Sequence, residues 1–163
     1  MKTQPDSRIR RARPDDVADL VRLVHELAEY EKAPEECTLT DEQLEVALFG
    51  DQPTVFAHVA AIDGAVVGCA IWFLNFSTWN GVNGIYLEDL FVEPSQRGSG
   101  LGKALLVALA EECEARGYAR LEWWVLTWNT PAIDFYESLG AVRQEEWRTY
   151  RVSGEALKAL AAK

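Results

Sequence analysis

The sequence has no apolar run of membrane-spanning length, no Cys-x-x-Cys pair, no internal repeat, no low-complexity stretch and no linker-like segment. Each absence closes off a class. Without a run of about 20 apolar residues there is no membrane-crossing helix to expect, and the start, Met1-Lys2-Thr3-Gln4-Pro5-Asp6, shows no signal-peptide core. The expected location is the cytoplasm. Cys37, Cys69 and Cys113 are odd in number and widely spaced. That argues against a disulfide framework, a zinc site or a thiol nucleophile and for reduced, mostly buried cysteines. Positive charge is scarce beyond residue 13: the first 13 residues carry five bases and one acid, the remainder 25 acids against 11 bases. A body so acidic does not suit nucleic acid and favours the approach of small cations.

What is present is enough for one domain, expected over residues 7–163 with a substantial core. Ile9 to Ala12 reads as a short strand. Pro14-Asp15-Asp16 opens a helix whose apolar stripe is Val17, Leu20, Val21, Val24, Leu27 and Ala28. Thr40 with Gln43 is a capping-box pattern for a second helix, stopped at Gly50. Eight acids and one base, Lys32, lie between Glu26 and Glu45. Thr54 to Ile62 and Ala65 to Phe76 read as strands joined by a turn at Asp63-Gly64. Ile85 to Val92 is a third strand, and Leu101 to Arg116 a helix ended by Gly117. Arg120 to Thr127 reads as a strand, Thr130-Pro131 opens a helix closed by Gly140, Val142 to Val152 reads as a last strand, and a helix follows Ser153. The order β-α-α-β-β-β-α-β-α-β-α predicts an α/β fold. Its sheet is antiparallel at first, with a strand–helix–strand crossover later.

Residues 97 to 102 read Arg-Gly-Ser-Gly-Leu-Gly between a strand and a helix start. Glycines let a ligand approach the backbone, and the unpaired N–H groups of a helix start attract anions. Two familiar phosphate loops do not fit. A Walker loop fails because Ala104 follows Gly102-Lys103, and the dinucleotide fingerprint fails because Lys103 stands where its third glycine belongs. What fits is Arg-x-x-Gly-x-Gly on Arg97, Gly100 and Gly102.

Upstream, Glu88 and Asp89 interrupt an apolar strand, where a carboxylate needs a reason: a general base, a cation ligand or a hydrogen-bond network. In a regular strand the two face opposite sides. Downstream, Asn129 suits a helix cap, Phe135 the core, and Tyr136 lies two turns into its helix.

Together these residues resemble the GCN5-related N-acetyltransferase (GNAT) superfamily. The resemblance rests on Leu90-Phe91-Val92 followed by Arg97 to Gly102, then Asn129 and Phe135-Tyr136 before Gly140. More narrowly, Leu27-Ala28-x-Tyr30-Glu31, Tyr86-Leu87-Glu88-Asp89-x-Phe91-Val92 and Trp128-Asn129-x-Pro131-x-Ile133-x-Phe135-Tyr136 resemble the diamine (spermidine/spermine) acetyltransferases. The similarity runs from Ile9 to the last helix.

The resemblance implies a mixed, mostly antiparallel sheet with splayed strands that hold acetyl-coenzyme A. Leu90, Phe91 and Val92 would run beside the pantetheine arm. Arg97, Gly98, Ser99, Gly100, Gly102 and Lys103 would surround the pyrophosphate, and Asn129 would bond the pantetheine. Glu88 would take a proton from the amine, directly or through water, and Tyr136 would protonate the departing thiolate. Glu31, Glu35, Glu36, Trp79, Glu88 and Asp89 are candidate substrate residues. No metal is implied. The resemblance also implies a homodimer to which the segment Trp147 to Val152 contributes. The substrate it implies is a small cationic amine: a diamine, a polyamine or a lysine analogue such as thialysine. Two other readings share the scaffold: acetylation of an antibiotic or protein amino group, and a coenzyme A-binding protein without turnover.

Overall fold

The computed structural model describes residues 4–163. The chain falls into two compact units, one reaching to Trp124 and the other spanning Val125–Lys163.

The first unit is a five-stranded sheet in sequence order, β1 (Ile9–Arg11), β2 (Phe56–Ile62), β3 (Ala65–Ser77), β4 (Val82–Val92) and β5 (Leu121–Trp123). The first four strands are antiparallel neighbours, and β5 joins β4 in parallel. Three helices belong to it: α1 (Val17–Tyr30), α2 (Asp41–Phe49) and α3 (Leu101–Arg116). The α/β class and the antiparallel-then-crossover order are as the sequence predicts. Local chemistry fixes the ends. Thr40 and Gln43 form the expected capping box at the start of α2, and the left-handed Gly117 terminates α3. The Asp63-Gly64 pair joins β2 to β3.

The two faces of the sheet are packed differently. On one, α1 and α2 bury Leu20, Leu23, Leu44 and Leu48 against Ala57, Val59, Cys69, Ile71 and Phe91. On the other, α3 buries Leu101, Leu105, Leu106, Leu109 and Cys113. Each such leucine contributes about 1.5–3 kcal/mol by leaving water. Arg22 pins α1 to the end of β4 through an ion pair with Glu93 at 2.8 Å and a bond to the Val66 carbonyl at 3.0 Å.

One irregularity decides the site. In the β3–β4 ladder Ile71 lies opposite Asp89 while Trp72 lies opposite Leu87, so Glu88 is an extra residue without a partner. Directly opposed residues point to the same face. Asp89 therefore joins Ile71, Cys69 and Phe91 on the α1 side, whereas Leu87, two residues earlier, joins Trp72 on the α3 side. The alternation expected of a regular strand breaks at the bulge.

The second unit contains α4 (Thr130–Ser138) and α5 (Gly154–Ala161). Asn129 caps α4 by accepting a bond from the Ala132 N–H at 3.4 Å. The strand expected over Val142 to Val152 does not form: the segment makes no ladder among the described residues. A strand needs a partner edge, and β-favouring residues alone do not supply one. Val142, Trp147 and Tyr150 are 78%, 72% and 91% exposed. The strand expected over Arg120 to Thr127 is shorter, ending at Trp123.

Candidate functional site

The expected cradle forms between β4 and α3. After Val92 a single 3-10 turn, Pro94–Gln96, redirects the chain, and Arg97 to Gly100 lead into α3. Gly98 and Gly100 both have φ in the left-handed region, +83° and +82°, and a Cβ at either would project into open space. Backbone conformation, not crowding, demands glycine here, and the result is a bare, exposed loop. Two bonds brace it: the Ser99 hydroxyl donates to the Gln96 carbonyl at 2.5 Å, and Arg8 Nη1 donates to the Ser99 carbonyl at 3.1 Å. The N–H groups at the start of α3, Leu101 to Lys103, lie before the first intrahelical acceptor, and Lys103 stands exposed beside them. Bare backbone, a helix start and an exposed ammonium suit a pyrophosphate.

The strand feeding the cradle offers an edge. The β4–β5 ladder covers only Ile85 to Leu87, while β4 runs on to Val92 paired with β3. From Glu88 to Val92 its other edge has no strand partner among the described residues, which suits an extended polyamide arm such as pantetheine. Only the backbone of Phe91 can serve there, because its ring is buried among α1-side residues.

The Arg97 side chain lies along α1 and the end of β4. Its guanidinium carbon sits 4.9 Å from the Tyr30 ring centroid and 5.6 Å from that of Phe91, and its Nε donates to the Val92 carbonyl at 3.2 Å.

The acids gather where α1 ends. Glu31 caps α1, and the left-handed Lys32, at φ +65°, turns the chain away. Burial, then the charges of Glu88 and Glu31, push the Asp89 carboxyl up to about 7. Burial also raises Glu31. Among the described residues no basic side chain forms an ion pair with Glu31, Glu88 or Asp89. Asp89 thus lies within electrostatic reach of two further carboxylates, Glu88 and Glu31.

The other expected substrate residues are not drawn in. Glu35 and Glu36 stand exposed on the 3-10 turn Pro34–Glu36, and Trp79 is 92% exposed on the β3–β4 connection. Conversely, Phe73, Tyr86 and Trp124 form an aromatic row that the sequence reading passed over. The Phe73 and Tyr86 rings lie 4.9 Å apart, and Trp124 meets Tyr86 edge-on at 5.8 Å. Phe73 and Tyr86 share Asp89's face by register. The period-two spacing of Ile71, Phe73 and Asn75 was the available signal. In the second unit, Tyr136 lies in α4 beside Phe135, ring centroids 5.5 Å apart.

Comparison with known proteins agrees with this geometry. Residues 20–141 match the family described as Acetyltransferase (GNAT) family. The thialysine N-epsilon-acetyltransferase of Bos taurus is 39% identical, covering 95% of this chain and 97% of its own length. The L-ornithine N5-acetyltransferase NATA1 of Arabidopsis thaliana is 31% identical, covering 94% and 87%. Among solved structures, an integron cassette protein from the mobile metagenome of V. cholerae is 30% identical with a TM-score of 0.80, covering 95% of this chain and 97% of that one.

Proposed function

The chain belongs to the acetyltransferase (GNAT) family, and we propose that it moves an acetyl group from acetyl-coenzyme A to the side-chain amine of a short diamine or diamino acid. The acetyl donor and the amine acceptor follow from the family and from the two curated relatives, which act on thialysine and ornithine. The observation that carries the choice of acceptor is the uncompensated cluster of Glu31, Glu88 and Asp89. A substrate with two cations supplies the missing charge twice: one amine to be acetylated, one held as an ammonium. The compactness of the cluster, with Glu35 and Glu36 standing apart, favours short amines over long polyamines.

In this proposal residues 7–163 act as one catalytic domain, a reading supported by a family match that crosses both compact units. Gly98, Ser99, Gly100, Gly102 and Lys103 hold the pyrophosphate. Leu90, Phe91 and Val92 offer backbone to the pantetheine arm, and Asn129 adds a side-chain contact. Acetyl-coenzyme A, when bound, supplies an activated thioester. The protein's task is to manage protons. An ammonium must lose one before its nitrogen can attack, and Glu88, exposed on the bulge, takes it directly or through water. Asp89 and Glu31 hold the second cation. Tyr136 returns a proton to the departing sulfur. No covalent enzyme intermediate is required.

The same proposal includes a cytoplasmic homodimer. The three free thiols, two of them buried, suit a reducing compartment. The segment from Val142 to Val152, which joins no ladder among the described residues and exposes Val142, Trp147 and Tyr150, suits an edge completed by a second copy. Sedimentation of wild type and Trp147→Glu tests it: a dimer that the variant turns into a monomer is expected, and a wild-type monomer overturns it.

The activity is tested by thiol release from acetyl-coenzyme A with putrescine, ornithine, lysine, thialysine, spermidine, spermine, an aminoglycoside and a lysine peptide. We expect turnover on the short diamines or diamino acids at least tenfold above spermine in kcat/KM. Glu88→Gln is expected to lower it about 100-fold. Silence across the panel with coenzyme A binding intact would overturn the amine assignment.

A further inference from the structure

Arg97 touches two things that the chemistry must bring together. It opens the glycine loop, yet its side chain lies against α1. The guanidinium stacks over Tyr30 at 4.9 Å and Phe91 at 5.6 Å, while Nε holds the Val92 carbonyl at 3.2 Å. Tyr30 is the last residue of α1, and the next residue, Glu31, belongs to the acidic cluster. Arg97 therefore links the loop to Tyr30 by direct contact, and the backbone carries that link on to Glu31, the next residue.

Elsewhere the helix is anchored differently. The Arg22–Glu93 pair fixes the middle of α1 to the end of β4 without involving the loop. At the C-terminal turn of α1, followed by the left-handed Lys32, Arg97 stacks over Tyr30.

We propose that Arg97 is a positioning residue that couples occupancy of the glycine loop to amine binding. The proposal rests on the reading of the loop as the pyrophosphate cradle and of Glu31, Glu88 and Asp89 as the amine site. A loop with two left-handed glycines is conformationally permissive until a ligand holds its N–H groups. Ordering it fixes the backbone from which Arg97 projects. The planar guanidinium then holds the Tyr30 ring, and with it Glu31, in one place. Arginine suits this role because it stacks through a flat face while keeping its charge. Coupling is reciprocal, so the amine tightens the cofactor by the same factor as the cofactor tightens the amine.

The test uses coenzyme A as a non-reactive cofactor and thialysine and putrescine as amines, with calorimetry on wild type, Arg97→Met and Arg97→Lys. The readout is the ratio of amine affinities with and without coenzyme A for the same variant, so a loss of cofactor affinity common to both legs cancels. In wild type the ratio is expected at about 5–10. It should fall to about 1 in Arg97→Met and recover only partly in Arg97→Lys, which restores charge without the flat face. Hydrogen exchange gives a readout independent of the amine: coenzyme A should slow the amides around Tyr30 to Lys32 in wild type and not in Arg97→Met. A ratio of 1 in wild type, or one that survives in Arg97→Met, overturns the coupling. Absence of coenzyme A binding to wild type overturns the cradle reading instead. Failure of both amines to bind with coenzyme A present, while exchange still slows in wild type alone, overturns the amine site and the coupling with it.

Discussion

His58 and Asp89 are two titratable groups set on opposite faces of one sheet, and their surroundings treat them in opposite ways. His58 is buried with a partner in place. Trp72 Nε1 donates to its Nδ1 at 3.1 Å, the Arg11 guanidinium lies 4.9 Å from the Trp72 ring, and Arg11 is itself paired with Glu112 at 2.8 Å. Burial and the Arg11 charge depress the imidazole to about 4, so it stays neutral and structural. Asp89 is half-buried beside two further acids and forms no ion pair among the described residues. A buried group whose partner comes with the fold is settled at folding; in the proposed function Asp89 gains its partner from the amine.

The furnished side breaks hardest. Trp72→Ala removes a fully buried ring that packs on Phe56 at 4.8 Å and satisfies His58. It should cost about 3–5 kcal/mol in denaturant unfolding, and a loss under about 1 kcal/mol would mean this face is not the rigid one. The acidic side should show the reverse sign. Because folding raises the Asp89 carboxyl, the folded state holds its proton more tightly than the unfolded chain, so stability falls as pH rises from about 4 to about 7. Asp89→Asn should be the more stable protein at pH 8, with its advantage shrinking by about 2 kcal/mol by pH 5. A pH-independent gap would mean that Asp89 has a counter-charge after all.

His58 sharpens the contrast with a slope of opposite sign. Its folded-state value lies below the ordinary 6.5, so its contribution is intact above about 6.5 and lost as pH falls toward 4. His58→Gln, which keeps an acceptor for Trp72, should remove about 1–2 kcal/mol of the stability lost between pH 7 and pH 5. An unchanged acid limb would assign that loss to other groups. The smallest effect belongs to Trp79. At 92% exposed, Trp79→Ala should leave stability within about 0.5 kcal/mol. An amine KM raised about threefold would still keep Trp79 in the substrate site.

Much of the frame was legible in the sequence because local chemistry specified it. The helix Leu101–Arg116 lies between two glycines that both adopt left-handed φ, and the Thr40–Gln43 box is where its pattern put it. The cradle was legible for the same reason. What escaped depended on contacts between distant residues. Nothing near Arg97 announces that its side chain will meet Tyr30, 67 residues earlier. The residues Glu88-Asp89 look like any adjacent pair until the ladder with β3 shows one of them to be extra. The segment Val142 to Val152 carries the β-favouring Val142, Trp147, Thr149, Tyr150 and Val152, yet pairing is a property of two edges and sequence describes only one.

The bulge at Glu88 also makes β4 a strand with two phases. Residues up to Leu87 follow one in–out rhythm, and residues from Asp89 onward follow the opposite one. A substitution at 88 changes a single side chain. A deletion at 88 removes the extra residue and leaves the ladder regular, with Asp89 and Phe91 still facing α1, whereas a residue added or lost between Asp89 and Val92 reverses the face of every residue after it. Chain length, more than residue identity, is what this strand must conserve. Insertions and deletions should be tolerated at the exposed Trp79 to Gly81 connection and abolish activity between Asp89 and Val92.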